Sequence, residues 1–124
     1  MATIALTEQT IDAAIEADGI TLIDWWASWC VPCRAFAPVY ESASERHPDI
    51  TFAKIDTEAE PQLSANAQIT SIPTLMVFRD GHLVYSRPGA LPAQALEQLI
   101  EGAQALDMDV VRQAAAQGSP QQGS

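Results

Sequence analysis

The chain has 124 residues, enough for one domain around one core. With 48% apolar and 18% charged residues it has the composition of a folded globular protein, and no apolar run approaches the length of a membrane-spanning helix. Six basic against 16 acidic residues leave a net charge of −10, which argues against nucleic acid and anionic membrane surfaces as partners and favours solubility.

The first residues carry no basic region followed by a long apolar segment, so no secretory leader is expected and the default location is cytoplasmic. Residues 3–6 suit a short edge strand. Thr7 suits the N-cap of a first helix through Ala17, with Leu6 stapled onto Ile11 and Gly19 ending it. Residues 20–26 are nearly all apolar, which predicts a central strand covered on both faces. A long helix follows from the cysteines to His47, before Pro48, with Pro32 in its first turn and a kink from Pro38 near Arg34. Residues 50–56 read as a strand and residues 61–67 as a short helix.

Residues 70–78 form a further strand, with Pro73 at its opening because proline cannot donate to a ladder. Asp80-Gly81 marks a tight hairpin leading to a strand over residues 82–86, then a turn at Arg87-Pro88-Gly89. Pro92 opens a helix with the stripe Leu96, Leu99, Ile100 and Ala103. Residues 106–117 continue in helical pattern, with Asp107 or Asp109 as cap, and the Gly/Ser/Gln-rich residues 118–124 suit a flexible tail. The pattern β-α-β-α-β-α-β-β-α predicts an α/β fold, a central mixed five-stranded sheet with helices on both faces. Residues 1–105 would form the domain and residues 106–117 a helical extension.

The chemistry concentrates at Trp29-Cys30-Val31-Pro32-Cys33, which holds the only two cysteines. They fall where a strand passes into a helix N-terminus. Orphan backbone N–H groups and the helix dipole both favour a thiolate there. A second thiol one turn away equips the site for disulfide exchange. A zinc site is the alternative, but it needs four ligands, and no second C-x-x-C or spaced histidine pair accompanies this one. So short a loop also leaves little chain entropy for a purely structural disulfide to remove. Asp24, in an apolar strand, should be buried with a raised pKa unless it bonds to nearby backbone. Trp25 and Trp26 alternate across the sheet and read as core. His47 and His82 read as solvated turn residues, and the acidic run 56–60 as a solvated loop.

The chain resembles the thioredoxin family over roughly residues 6–105. The resemblance rests on Asp24-Trp25-Trp26-Ala27-Ser28-Trp29-Cys30-Val31-Pro32-Cys33, Ala37-Pro38, Lys54 with Asp56, Ser71-Ile72-Pro73-Thr74 and Gly89-Ala90-Leu91. It implies a protein-disulfide reductase that acts as an electron carrier and maintains cell redox homeostasis. It further implies re-reduction by an NADPH-dependent thioredoxin reductase, disulfide-containing client proteins, and a monomer with no bound cofactor beyond its redox-active cysteine pair. Cys30, first at the helix start, would be the more exposed thiol and the nucleophile, and Cys33 the resolving thiol. The resemblance makes Asp24 the proton acceptor for Cys33 and puts Lys54 near it, with a surface position the alternative for Lys54. It assigns docking of clients to Trp29, Val31, Pro32, Ile72, Pro73 and Gly89, with Pro73 cis. Val31 departs from the family's usual Gly-Pro between the cysteines. Reversed chemistry, as an oxidase, and a non-catalytic docking module are the competing functions.

Overall fold

A computed structural model describes residues 2–122, with side chains through residue 117. Five strands make one sheet in the order β1-β3-β2-β4-β5. They are β1 (Thr3–Ala5), β2 (Ile20–Trp26), β3 (Thr51–Asp56), β4 (Thr74–Arg79) and β5 (His82–Pro88). β3 pairs parallel with β1 and β2, while β4 pairs antiparallel with β2 and β5. The sheet is mixed, as the element pattern predicts, and β2 lies at its centre. That position follows from its composition. Every residue of β2 except Trp26 is buried, and such a strand is stable only with neighbours and cover on all sides.

The period of two in β2 sends its residues to two separate cores. Leu22 joins Phe52, Leu75 and Val77 beneath α2 (Val31–Arg46) and α4 (Ala93–Gln104), whose Phe36, Tyr40, Leu96 and Ile100 fill that side. Ile23 and Trp25 join Ala53 and Ile55 on the opposite face, under α1 (Ile11–Glu16) and α3 (Pro61–Asn66). The Tyr40 hydroxyl donates to the Ala53 carbonyl at 2.7 Å, so the buried phenol is satisfied.

Several details differ from expectation, among them β4, which starts at Thr74 and not at residue 70 because Pro73 lies outside the ladder. α1 starts one turn later than Thr7, with Thr10 at its N-cap position. The Thr7 N–H donates to the Thr10 hydroxyl and the Gln9 N–H to the Thr7 hydroxyl, so the threonines close a turn of their own. β5 runs two residues further than Ser86, to Pro88. It is an edge strand, where a missing N–H is tolerated. His47 is not a solvated turn residue: its Nε2 lies 2.7 Å from Glu97 Oε1 on α4, and Arg46 holds the other carboxylate oxygen. Glu97 is thereby held below the usual glutamate range, chiefly by the Arg46 hydrogen bond and then by that of His47.

Beyond α4, Asp107 caps α5 (Met108–Gln122), its Oδ1 accepting from the Asp109 N–H at 3.0 Å. Arg79 Nη1 donates to the carbonyls of Ala103, Gln104 and Leu106, satisfying the end of α4 and fixing the joint. Met108 is buried, and an open groove of about 470 Å³ between α5 and β5 is lined by Leu83, Val84, Leu106, Val110 and Val111. α5 continues past Gln117 into the stretch expected as a tail, and positions 123 and 124 lie outside the described residues.

Candidate functional site

The site lies at the carboxyl end of β2, where strand passes to helix across Ala27-Ser28-Trp29. Cys30 is the N-cap residue of α2. It has extended backbone, and its Sγ accepts the Cys33 N–H at 3.2 Å. Sulfur thus takes the place of the oxygen that usually satisfies an orphan amide in the first turn. Pro32 in that turn has no amide to satisfy. Cys30 and Cys33 form a disulfide, with their Cα atoms 5.2 Å apart. Both cysteines are buried, Cys30 at 4% and Cys33 at 2% exposure, so Cys30 is only marginally the more exposed. What stands open around them is apolar: Trp29 is 64% and Val31 68% exposed, with Pro32 exposed beside them.

The opposite wall comes from the residues before β4. The Ile72–Pro73 peptide is cis, as the resemblance implied. The Ile72 carbonyl lies 3.7 Å from Cys30 Sγ, and the Ile72 side chain packs on the cysteines together with Trp26 and Ala27. Among the described residues the Ile72 N–H has no recorded acceptor. Gly89 closes the wall, its N–H donating to the Pro73 carbonyl at 2.8 Å. Its φ of +113° is a conformation that L side chains rarely adopt, although a Cβ there would meet no atom within 4 Å. A shallow groove of about 190 Å³ runs beside Trp29 and Ile72, lined also by Thr57, Ile69, Thr70 and Ser71.

Six residues before Cys30, Asp24 lies within β2 between Lys54 of β3 and Leu75 of β4. It is fully buried, and among the described residues neither carboxylate oxygen has a hydrogen-bond partner, which removes the backbone-bonded alternative. Burial raises its pKa from 3.8 to about 7, and the Lys54 ammonium opposes that rise. Lys54 is directly opposite Asp24 in the β2–β3 register. It is half-buried and not at the open surface, with its Nζ 4.7 Å from the centre of the Trp26 ring. The Asp24 charge and burial both push the Tyr40 phenol up, burial contributing most.

The structure brings Ile72 and Trp26 against the cluster of Ala27, Cys30 and Cys33, sets Lys54 opposite Asp24, and joins Gly89 to Pro73. Trp26 was expected to be core; instead it is half-exposed and touches both the cysteines and Lys54. Its parity with Asp24 along β2 is the signal that places it on this side. The acidic run folds into its own turn, with Asp56 Oδ1 accepting from the Glu58 N–H at 2.9 Å. No group of three or more His, Cys, Asp or Glu side chains able to hold a metal occurs among the described residues.

The thioredoxin family model matches residues 2–102. A protein described as "Putative thioredoxin 2" from Streptomyces coelicolor is 48% identical over 121 residues, covering 98% of this chain and 90% of its own. A thioredoxin from Alicyclobacillus acidocaldarius is 41% identical over 97 residues, covering 77% of this chain and 92% of its own. Among solved structures, a mutant thioredoxin from Halobacterium salinarum superposes with a TM-score of 0.77 at 32% identity, over 85% of this chain and 93% of that one. Fold, cysteine pair and relatives agree: the chain belongs to the thioredoxin family, whose members are disulfide oxidoreductases that work by dithiol–disulfide exchange.

Proposed function

We propose that the protein reduces disulfides in client proteins, with Cys30 attacking and Cys33 resolving. The single observation that carries the reading is a buried Cys30–Cys33 disulfide at a helix N-terminus, ringed by the exposed apolar residues Trp29, Val31 and Pro32. In the reduced protein, the Cys30 thiolate attacks one sulfur of the client disulfide. A mixed disulfide forms and the other client sulfur leaves as a thiolate that takes up a proton. Cys33 loses its proton to Asp24 and attacks Cys30 Sγ. The second client thiol departs, and Cys30–Cys33 closes with two electrons passed to the client.

Each neighbour has a part in that sequence. The Cys33 N–H aimed at Cys30 Sγ and the dipole of α2 stabilise negative charge on the attacking sulfur. The buried Asp24 carboxylate is a strong base for its type because burial disfavours its charged form. Lys54 limits that effect. Trp29, Val31, Pro32, Ile72, Pro73 and Gly89 form the docking surface, and the Ile72 N–H and carbonyl suit pairing with an extended client segment. The exposed Val31 beside Cys30 is where the redox poise of this member is set.

The reading includes regeneration by an NADPH-dependent thioredoxin reductase, action as a monomer, and residence in the cytoplasm, the compartment in which such a reductant is supplied. The test is insulin reduction with dithiothreitol, followed by re-reduction with NADPH and reductase. The wild type should accelerate precipitation and Cys30→Ser should abolish the effect. Full acceleration by Cys30→Ser would sink the proposal. Comparing Val31→Gly with wild type against the reductase reads how far Val31 governs recognition.

A further inference from the structure

Lys54 presents a problem of placement. Its ammonium ends a flexible four-carbon stem on a sheet face next to solvent, and such a group ordinarily reaches for water. Here it stays beside Trp26, yet among the described residues it makes no ion pair, and neither Asp24 oxygen has a hydrogen-bond partner there. What it does meet is the face of Trp26, with Nζ 4.7 Å from the ring centre. The negative face of an indole attracts a cation at that range. Trp26 stands two residues beyond Asp24 on the same side of β2, and Lys54 faces Asp24 from β3. The ring is itself held by packing against Ala27 and the cysteines, so it does not swing away freely.

We propose that Trp26 is a positioning residue: its ring tethers the Lys54 ammonium beside the Asp24 carboxylate without letting the two form a direct pair. A direct pair would stabilise the carboxylate and weaken it as a base; a fully hydrated ammonium would leave burial unopposed. The tether holds the acid between those limits. The other groups around Asp24 do not substitute for it. Tyr40 on α2 donates its hydroxyl to the Ala53 carbonyl, and Leu75 of β4, opposite Asp24, is apolar. Glu41 accepts from the Thr3 hydroxyl of β1, and Asp56, opposite Trp26, is engaged with its own loop amides. Cys30 and Cys33 do not titrate in the oxidised protein.

This inference rests on the reading of Asp24 as proton acceptor, so its test uses a signal that needs no activity. The Asp24 carboxyl carbon is followed by ¹³C NMR against pH in the oxidised protein. Lys54→Met is introduced into three backgrounds: wild type, Trp26→Phe and Trp26→Leu. Removing the ammonium should raise the Asp24 midpoint by about one pH unit in wild type, the scale of a lost neighbouring charge. Trp26→Phe keeps a ring and should retain most of that rise, whereas in Trp26→Leu it should change by about half or more, falling if the freed ammonium moves into water and growing if it pairs with the carboxylate. Equal rises in all three backgrounds would overturn the tether and leave the reductase reading untouched. Failure of the reductase reading shows in the insulin assay, not in this titration.

Discussion

Asp24→Ala should make the protein more stable at alkaline pH and a poorer reductase. The carboxyl has an ordinary pKa of 3.8 in the unfolded chain and about 7 in the folded one. Between those values the unfolded state is ionised while the folded state holds its proton. The neutral form's contribution is therefore complete below pH 3.8 and is lost as pH rises through about 7. A shift of about three pH units at 1.36 kcal/mol each means that ionised Asp24 costs the fold about 4 kcal/mol above pH 8. Alanine removes that cost but leaves a small cavity worth about 1 kcal/mol. The net expectation is a gain of about 3 kcal/mol at pH 8.5 and a loss of about 1 kcal/mol at pH 3.5. Urea unfolding of the oxidised protein at both pH values, with two-state fits, measures it. A wild-type-to-variant difference that is the same at pH 3.5 and pH 8.5 would refute the reasoning, because only a titrating group makes the difference move. The same variant should lose the rise in resolving rate near pH 7.

Gly89→Ala should cost about 1 kcal/mol from its positive φ alone, since a Cβ has space there, and should slow insulin reduction by loosening the Pro73 wall; unchanged unfolding and turnover would contradict this. Arg79→Met removes three hydrogen bonds at the α4–α5 joint, so amide exchange should quicken over residues 106–117 while β2 and β3 stay protected. Uniform protection in the variant would count against that role. Glu97→Gln should cost at most about 1 kcal/mol at pH 7. Because the folded-state pKa of Glu97 is depressed, this stability is present above the unfolded glutamate pKa and lost as pH falls, so the variant and wild type should converge near pH 3 in urea.

Much of the site was legible because its residues are close in sequence or governed by local rules. Cys30 and Cys33 announce themselves by spacing, and Pro32 fits a helix start. Asp24 stands out as a charge in an apolar strand. Where expectation missed, the deciding partner was elsewhere in the chain. His47 looked solvated because Glu97, fifty residues on, is what holds it. Thr7 was a sound N-cap in isolation, but Thr10 captured its amide and the helix began later. Trp26 read as core because alternation gives a side of the sheet without saying how fully that side is covered. At the end of β2 the cover is incomplete, and the ring meets the disulfide and Lys54 instead.

From the sequence alone came the mixed α/β sheet, the central place of residues 20–26 and a reactive dithiol at a helix start. These depend on the period of two in strands, on burial of apolar runs and on proline and cysteine positions, which are properties of short segments. Only the tertiary structure decided that Lys54 comes to rest over Trp26, that both Asp24 oxygens are left without partners among the described residues, and that Ile72 packs on Cys30 while Gly89 binds Pro73. Those relations join β2, β3 and the residues flanking β4 and β5. Strand register and packing across the sheet set them, and no single segment encodes either.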